Sequence, residues 1–204
     1  ILTWNIRPGH MIDAGLLLTP DSYNHLQSAA TLLPMDYGPY TFVESGHLGS
    51  SIGRDTGLQL RGLLAEKMVE YRVGVFQGRR VNTADKDSYR AVARLSVHPF
   101  KTASSSFFYG GTMLGKARTL AIGASADFQK GYQALHGDLF FEEPVAPGSC
   151  LTVQGDLGMY DPGDDPVYIP LAEQTTWMAE AGFAVKENRF GPFVQVSGQN
   201  YKED

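Results

Sequence analysis

The stretch DTGLQLRGLLAEKMVEYRVGVFQG, residues 55–78, alternates apolar and polar side chains on both sides of a short polar interruption. Its first half places Leu58 and Leu60 on one face and Arg61 on the other. An alternation with a period of two is typical of a β-strand whose two faces meet different surroundings. The stretch therefore predicts a pair of strands joined by a tight turn.

The same alternation continues along almost the whole chain, interrupted by clusters of Gly, Pro, Asn and Asp that favour turns. Most of the predicted strands are about ten residues long, the length at which a tilted strand crosses a bilayer. Tight turns are expected at 65–67 and 130–131. The ten predicted strands lie near residues 2–7, 11–19, 55–65, 68–78, 88–98, 118–129, 132–143, 150–160, 174–186 and 192–201.

Nothing in residues 1–204 indicates a domain linker, so we expect one β-domain with a long inserted loop, 20–54. Within this loop, residues 21–33 are the one helical candidate, with Asp21 as the N-cap residue. The loop can fold inward or lie on the surface as a single helical turn, and both options stay open. A second long connection, 99–116, is either an element folded inward or a sign that the predicted strand register is wrong there.

Charged residues avoid one face of the seven predicted strands between residues 55 and 186. Either lipid or a protein core can cover such a face. The four mid-strand cations are all arginines, Arg61, Arg72, Arg90 and Arg94, whereas the seven lysines fall in turns or at strand ends: Lys67, Lys86, Lys101, Lys116, Lys130, Lys186 and Lys202. Because a solvent-facing sheet carries lysine freely, this distribution favours an apolar face toward lipid and a polar face toward a lumen.

Composition argues against several other classes of protein. No apolar run approaches the roughly eighteen residues of a transmembrane helix. The formal net charge is −5, and no basic stripe indicates a nucleic-acid partner. Cys150 is the only cysteine, so the chain cannot form a disulfide framework or a cysteine metal cluster. The chain begins at Ile1 inside an extended segment, which suggests a processed or truncated stretch.

Catalytic and metal-binding patterns are weak. A hydrolase triad can be drawn from Ser125, His136 and Asp138, but nothing local in the sequence enforces its geometry, and polar lumen lining is the simpler interpretation. The loop histidines lack the spacing of metal ligands: His10, His25 and His47. We therefore predict that the protein is not an enzyme and carries neither a cofactor nor a metal.

Several motifs resemble the phosphate-selective porin O and P family of bacterial outer-membrane proteins. Each motif is a strand with its turn, and their shared order extends the similarity from about Ala14 to Tyr201. The motifs are GRDTGLQLRG at 53–62, EYRVGVFQG at 70–78, FYGGTMLGK at 108–116, LAIGA at 120–124 and ALHGDLF at 134–140.

The resemblance implies a transmembrane antiparallel up-and-down β-barrel of roughly sixteen strands. It also implies a homotrimer in the outer membrane and a constriction loop folded into the lumen. Ten predicted strands are fewer than the family has, and Asp204 stands where a terminal aromatic residue is common in this class. We therefore expect a fragment of the full barrel, with strands missing from both ends.

The predicted lumen-facing charges divide into a basic and an acidic wall. The pore-lining candidates are Arg61, Arg72, Arg90, Arg94, Asp127, Asp138, Asp156 and Glu180. Two facing walls would create a transverse field across the water column, whereas pairing across neighbouring strands would only stiffen the barrel. Arginine forks onto phosphate oxygens. However, four mid-strand arginines and the negative net charge favour a general or weakly selective pore over a phosphate-specific one.

The predicted function is passive diffusion of small solutes, including anions such as phosphate, through an outer-membrane porin. A soluble β-barrel that binds a small apolar ligand in its interior is the main alternative, because its strands would alternate in the same way. An outer-membrane enzyme or adhesin is a second alternative. That protein would carry its function in the long loops, 20–54 and 161–173.

Overall fold

The computed structural model describes residues 1–34, 36–50, 52–80, 88–100, 107–164, 169–185 and 191–202. The chain is all-β, and its ten antiparallel strands form one sheet. All ten predicted strands are confirmed, with bounds within three residues of the prediction. They are β1 (Leu2–Arg7), β2 (His10–Leu18), β3 (Arg54–Leu64), β4 (Val69–Phe76), β5 (Arg90–Val97), β6 (Thr119–Gln129), β7 (Tyr132–Ala146), β8 (Ser149–Asp161), β9 (Gln174–Ala184) and β10 (Phe193–Tyr201).

The sheet has an up-and-down order, because each strand pairs with the strands before and after it in sequence. β1 pairs with β2, and β10 pairs with β9. Over the residues that the structure describes, β1 and β10 do not pair with each other, so the sheet is open. The all-β, up-and-down part of the predicted fold class is therefore confirmed.

Two of the reversals between strands are tight, as predicted. Between β3 and β4, Ala65, Glu66 and Lys67 have φ angles of 48°, 56° and 74°. Between β6 and β7, Lys130 has a φ of 56° and Gly131 follows it. Left-handed backbone at such a reversal matches the right-handed twist of the strands that it joins. These turns fix the register of both hairpins.

The two faces of the sheet differ sharply in exposure. On β5, Leu95 is 54 % exposed and Arg94 is 3 % exposed. On β4, Val73 is half exposed and Arg72 is buried. Exposed apolar residues recur on the following strands, among them Ile122, Leu135, Leu157 and Trp177. The apolar face therefore points outward, and the charged face points inward and is covered by protein.

Two connections cover the charged face. In the inserted segment, residues 19–53, Tyr23 stacks on Phe140 of β7 with the ring centroids 4.7 Å apart. In the second connection, residues 107–113, Tyr109 packs against Tyr23 at the same centroid distance. Leu18, Leu26 and Ala121 complete this apolar cluster. Both connections thus fold inward. For the inserted segment, this is the inward-folded arrangement and not the surface loop.

Helical structure in the inserted segment is short. The helix α1 spans Tyr23–Leu26, and Ala29–Thr31 form a 3₁₀ turn. Ser22 caps α1, because its side chain accepts a hydrogen bond from the His25 backbone N–H at 3.2 Å. The prediction of a helix over 21–33 capped by Asp21 was therefore too long, and its cap was wrong by one residue. No helix among the described residues is long and apolar enough to span a membrane.

The described lysines all lie outside the strands, at Lys67, Lys116, Lys130 and Lys202. Lys86, Lys101 and Lys186 lie outside the described residues. For the described part of the chain, the prediction that lysine avoids strand interiors is confirmed. The cations on the inward face of the strands are arginines.

Candidate functional site

The side chains predicted to line a lumen all belong to the inward, charged face. Arg61, Arg72 and Arg94 occupy directly paired positions on β3, β4 and β5, so they form a row across three strands. Asp138 and Asp156 are paired in the same way on β7 and β8. The remaining candidates on this face are Arg90, Asp127 and Glu180. Asp156 is half-buried, and the other seven of the eight predicted pore-lining residues are buried. Basic and acidic residues are thus concentrated on different strands.

Two members of the arginine row are compensated by neighbouring acids. The Arg61 Nε lies 2.5 Å from the Asp13 Oδ2 on β2. The Arg72 Nε donates to the Glu70 Oε1 at 2.7 Å on its own strand. Buried charges of this kind are tolerated only when they are paired and hydrogen-bonded. Both arginines therefore present little uncompensated charge.

Arg94 ends the row in a denser network. Its two terminal nitrogens donate to the two carboxylate oxygens of Asp138 at 2.6 and 2.7 Å, although β6 lies between β5 and β7. Its Nε lies 3.1 Å from the Tyr109 hydroxyl. The Tyr109 ring also lies 4.8 Å from the Arg72 guanidinium and 5.4 Å from that of Arg94. Cation–π contacts of this kind anchor the second connection on the arginine row.

Arg90 anchors the inserted segment to the wall. Its Nε and Nη2 donate to the Asp127 carboxylate on β6, at distances between 2.7 and 3.0 Å. The same Nη2 lies 3.2 Å from the Asp21 Oδ2 in the inserted segment. Ser125 on β6 also donates its hydroxyl to the Asp21 backbone carbonyl. These bonds tie Asp21 to two strands of the sheet.

The acids on β8 and β9 have no arginine on their own strands. Glu180 accepts a hydrogen bond from Gln195 Nε2 at 3.0 Å, while its Oε1 makes no hydrogen bond with any described residue. The Asp156 Oδ2 likewise has no hydrogen-bond partner in the described part of the chain. Negative charge is therefore least compensated on this side of the sheet.

The two interpretations of the charges can now be compared. All four mid-strand arginines bond carboxylates, as expected if the charges pair with one another and stiffen the barrel. Asp127 and Asp138 belong to those pairs, whereas Asp156 and Glu180 do not. A net field from this face would therefore come mainly from the acids of β8 and β9.

The hydrolase triad considered from sequence is not assembled. Ser125 and His136 are paired across β6 and β7, but the Ser125 hydroxyl donates to the Asp21 carbonyl. Both carboxylate oxygens of Asp138 accept hydrogen bonds from Arg94. A nucleophile needs a base that a third group orients, and these side chains are engaged elsewhere.

Several residues of the covered face were missed from sequence. Asp13 pairs with Arg61, and Tyr109 contacts two arginines. Glu70, by contrast, was expected from sequence as an acidic partner of the arginines, and it pairs with Arg72. Asp21 and His25 are four residues apart in the sequence. That spacing brings two side chains together on a helical turn, so this contact could have been predicted. Glu44 lies in a loop with no pattern around it, so only the fold places it next to His25, at 3.8 Å.

No protein-family model, curated protein or solved structure matches the chain. The resemblance to phosphate-selective porins thus stays a prediction that rests on the motifs. The polarity of the sheet is independent of it, since that polarity follows from which side chains are buried.

Proposed function

We propose that this chain is part of the wall of an outer-membrane β-barrel whose lumen passes small solutes by passive diffusion. The observation that carries the proposal is the inverted polarity of the sheet. Its outward face exposes Val73, Leu95 and Leu157, whereas its inward face buries Arg72 and Arg94. A bilayer is the solvent in which this arrangement is favourable.

The soluble alternative predicts the opposite distribution. A ligand-binding barrel in water keeps its apolar side chains inside and exposes its charges. Here the exposed apolar residues recur on consecutive strands from β3 to β10. Contiguous apolar surface of that extent marks a contact with membrane or protein.

Strand length supports the same proposal. From β3 to β9 the strands have 8 to 15 residues. A tilted strand needs about 9–11 residues to cross the hydrocarbon core, and ordinary globular strands centre on about 5–6. Strands of this length suit a bilayer.

Weak charge selectivity is the expected behaviour of this pore. The arginines are compensated by Asp13, Glu70, Asp127 and Asp138. A phosphate ion could bind the arginine row by replacing those carboxylates, since guanidinium groups fork onto its oxygens. Phosphate and other small anions therefore remain proposed solutes, and the homotrimer remains an expectation from the resemblance.

Reconstitution in a planar bilayer tests the proposal. Protein purified in detergent should give discrete conductance steps, because a closed barrel with a polar interior would hold a water-filled path beside the segments packed on its wall. After cell fractionation it should be recovered with the outer membrane and need detergent for extraction. Recovery in the aqueous fraction with no conductance would refute the proposal and favour the soluble alternative.

A further inference from the structure

Three potential metal-binding side chains meet inside the inserted segment. Asp21 precedes α1, His25 lies within it, and Glu44 comes from later in the segment. One ligand atom of each lies within 4.8 Å of the others. All three residues are fully buried. This Asp21–His25–Glu44 cluster lies beside Arg90 on the inward side of the sheet.

The hydrogen bonds of His25 define which ring nitrogen is available. Its Nε2 lies 3.1 Å from the Gly53 carbonyl oxygen, which can only accept, so Nε2 carries the proton and donates it. The Nδ1 then presents its lone pair to the Asp21 Oδ2 at 3.6 Å and to the Glu44 Oε1 at 3.8 Å. The His25 Nδ1 and the Glu44 Oε1 make no hydrogen bond with any described residue, an arrangement that a cation would stabilise.

The charge balance around the cluster points the same way. The carboxylates of Asp21 and Asp127 share one guanidinium, that of Arg90, and Glu44 forms no ion pair with a described arginine or lysine. Asp21 Oδ1 and both Glu44 oxygens make no hydrogen bond with any described residue. Buried carboxylates without partners are strongly unfavourable.

We propose that Asp21, His25 and Glu44 bind one divalent transition-metal ion of the zinc class through one imidazole nitrogen and two carboxylate oxygens. With bonds near 2.0–2.2 Å, tetrahedral ligand atoms are about 3.4 Å apart. The two measured nitrogen–oxygen separations exceed that value by only a few tenths of an ångström. A nitrogen ligand beside carboxylates favours such an ion over Mg²⁺ or Ca²⁺, which take oxygen ligands.

The surroundings of the cluster have the form of a second coordination shell. Ligating histidines usually donate their other ring N–H to a carbonyl or carboxylate, as His25 does to Gly53. Thr19 donates to the Asp21 Oδ2 at 2.5 Å, and Arg90 bonds the same oxygen. These two donors hold the Asp21 Oδ2, the ligand oxygen, 3.6 Å from the His25 Nδ1. Three protein ligands leave the fourth position to water.

Metal binding would act as a cross-link within the inserted segment. It joins α1 to the region of Glu44, and Asp21 in turn bonds Arg90 on β5. Loss of the ion should therefore loosen the segment from the wall. The site requires only the packing of this segment, and it stands whether or not the barrel conducts.

Cobalt provides a spectroscopic test on the full chain purified in detergent and stripped with a chelator. We expect one Co²⁺ per chain with the visible absorption of a tetrahedral nitrogen–oxygen site, displaced by one equivalent of Zn²⁺. The variants His25→Gln and Glu44→Gln should each weaken binding at least tenfold, since each loses a ligand. Matched controls, His47→Gln and the exposed Glu66→Gln, should bind as the unmodified protein does.

Circular dichroism would verify that each variant keeps its strand content. Failure of the unmodified chain to take up one equivalent of Co²⁺ or Zn²⁺ would overturn the proposal. Unchanged affinity in folded His25→Gln and Glu44→Gln would overturn it as well. A negative result here is distinguishable from a failure of the proposed function, because metal uptake and conductance are measured in separate experiments.

Discussion

Arg94 shows how a charged residue is kept inside this sheet. Both terminal nitrogens of its guanidinium bond Asp138, and its Nε bonds the Tyr109 hydroxyl. Both side chains of the ion pair are inaccessible to solvent. Removing one member of such a pair leaves the other as an uncompensated buried charge, and that is more unfavourable than losing both. The arginine row therefore depends on its acids.

Replacing Asp138 with Asn should destabilise the protein by about 3–5 kcal/mol, because Arg94 would lose its counter-charge. The measurement is the free energy of unfolding in detergent, from denaturant titration. Arg118 and Glu143 supply a control, since they form a similar pair at the surface, with Arg118 exposed and Glu143 partly exposed. Glu143→Gln should leave the unfolding curve unchanged. Equal effects of the two substitutions would contradict burial as the cause.

Charge selectivity should respond to the acids without arginine partners. Asp156→Asn combined with Glu180→Gln removes two carboxyl groups that form no ion pair with any described residue. The reversal potential under a salt gradient should move toward anion preference, because charges inside low-dielectric walls bias ion passage. Glu66→Gln, in an exposed turn, should not shift it. A shift of the same size in both variants would count against a lumen role for Asp156 and Glu180.

Individual elements were predictable to very different degrees. Each strand was found because alternation is a local property, which the tight turns at 65–67 and 130–131 reinforce. The docking of the inserted segment on the sheet could not be predicted, because it depends on contacts between residues distant in sequence. Ser125 and Asp21, for example, are 104 residues apart in the chain. The Asp21–His25–Glu44 cluster was missed for the same reason, since Glu44 reaches His25 only through the fold.

Gly53 joins the inserted segment to β3, and its φ of +66° favours glycine. A Cβ there would lie 2.1 Å from His25 Nε2 and 2.8 Å from the Phe42 ring. Gly53→Ala should therefore lower stability by more than about 1 kcal/mol, since it adds a clash to backbone strain. It should also weaken Co²⁺ binding by displacing His25.

Gly46 provides the matched control for this junction. A Cβ at Gly46 has no described atom within 4 Å. Gly46→Ala should change the unfolding free energy by less than about 0.5 kcal/mol. Thermal denaturation of both variants with chelator present separates packing from metal binding. Equal midpoints for Gly53→Ala and Gly46→Ala would show that the approach of His25 to Gly53 does not matter.

For the whole molecule, the outward apolar face constrains what can happen at the two edges of the sheet, β1 and β10. β1 and β10 each pair on one side only within the described residues. An unpaired strand edge cannot face hydrocarbon, because its backbone groups have no water to bond. A membrane role therefore requires that these two edges pair, with each other or with further strands. Closure by other strands would fit the larger barrel that the resemblance implies.

A charge on the outward face distinguishes a bilayer from water. Val73 lies within β4 and is half exposed, so Val73→Arg would be nearly neutral in a soluble sheet. In a membrane the arginine would enter the hydrocarbon and lower stability by about 2–4 kcal/mol. Reversible unfolding from lipid vesicles measures this difference. Met68→Arg, at the turn before β4 and equally accessible, should change stability by only about 0–1 kcal/mol, as interfacial positions do. If Val73→Arg were as mild as Met68→Arg, the outward face would not be in lipid.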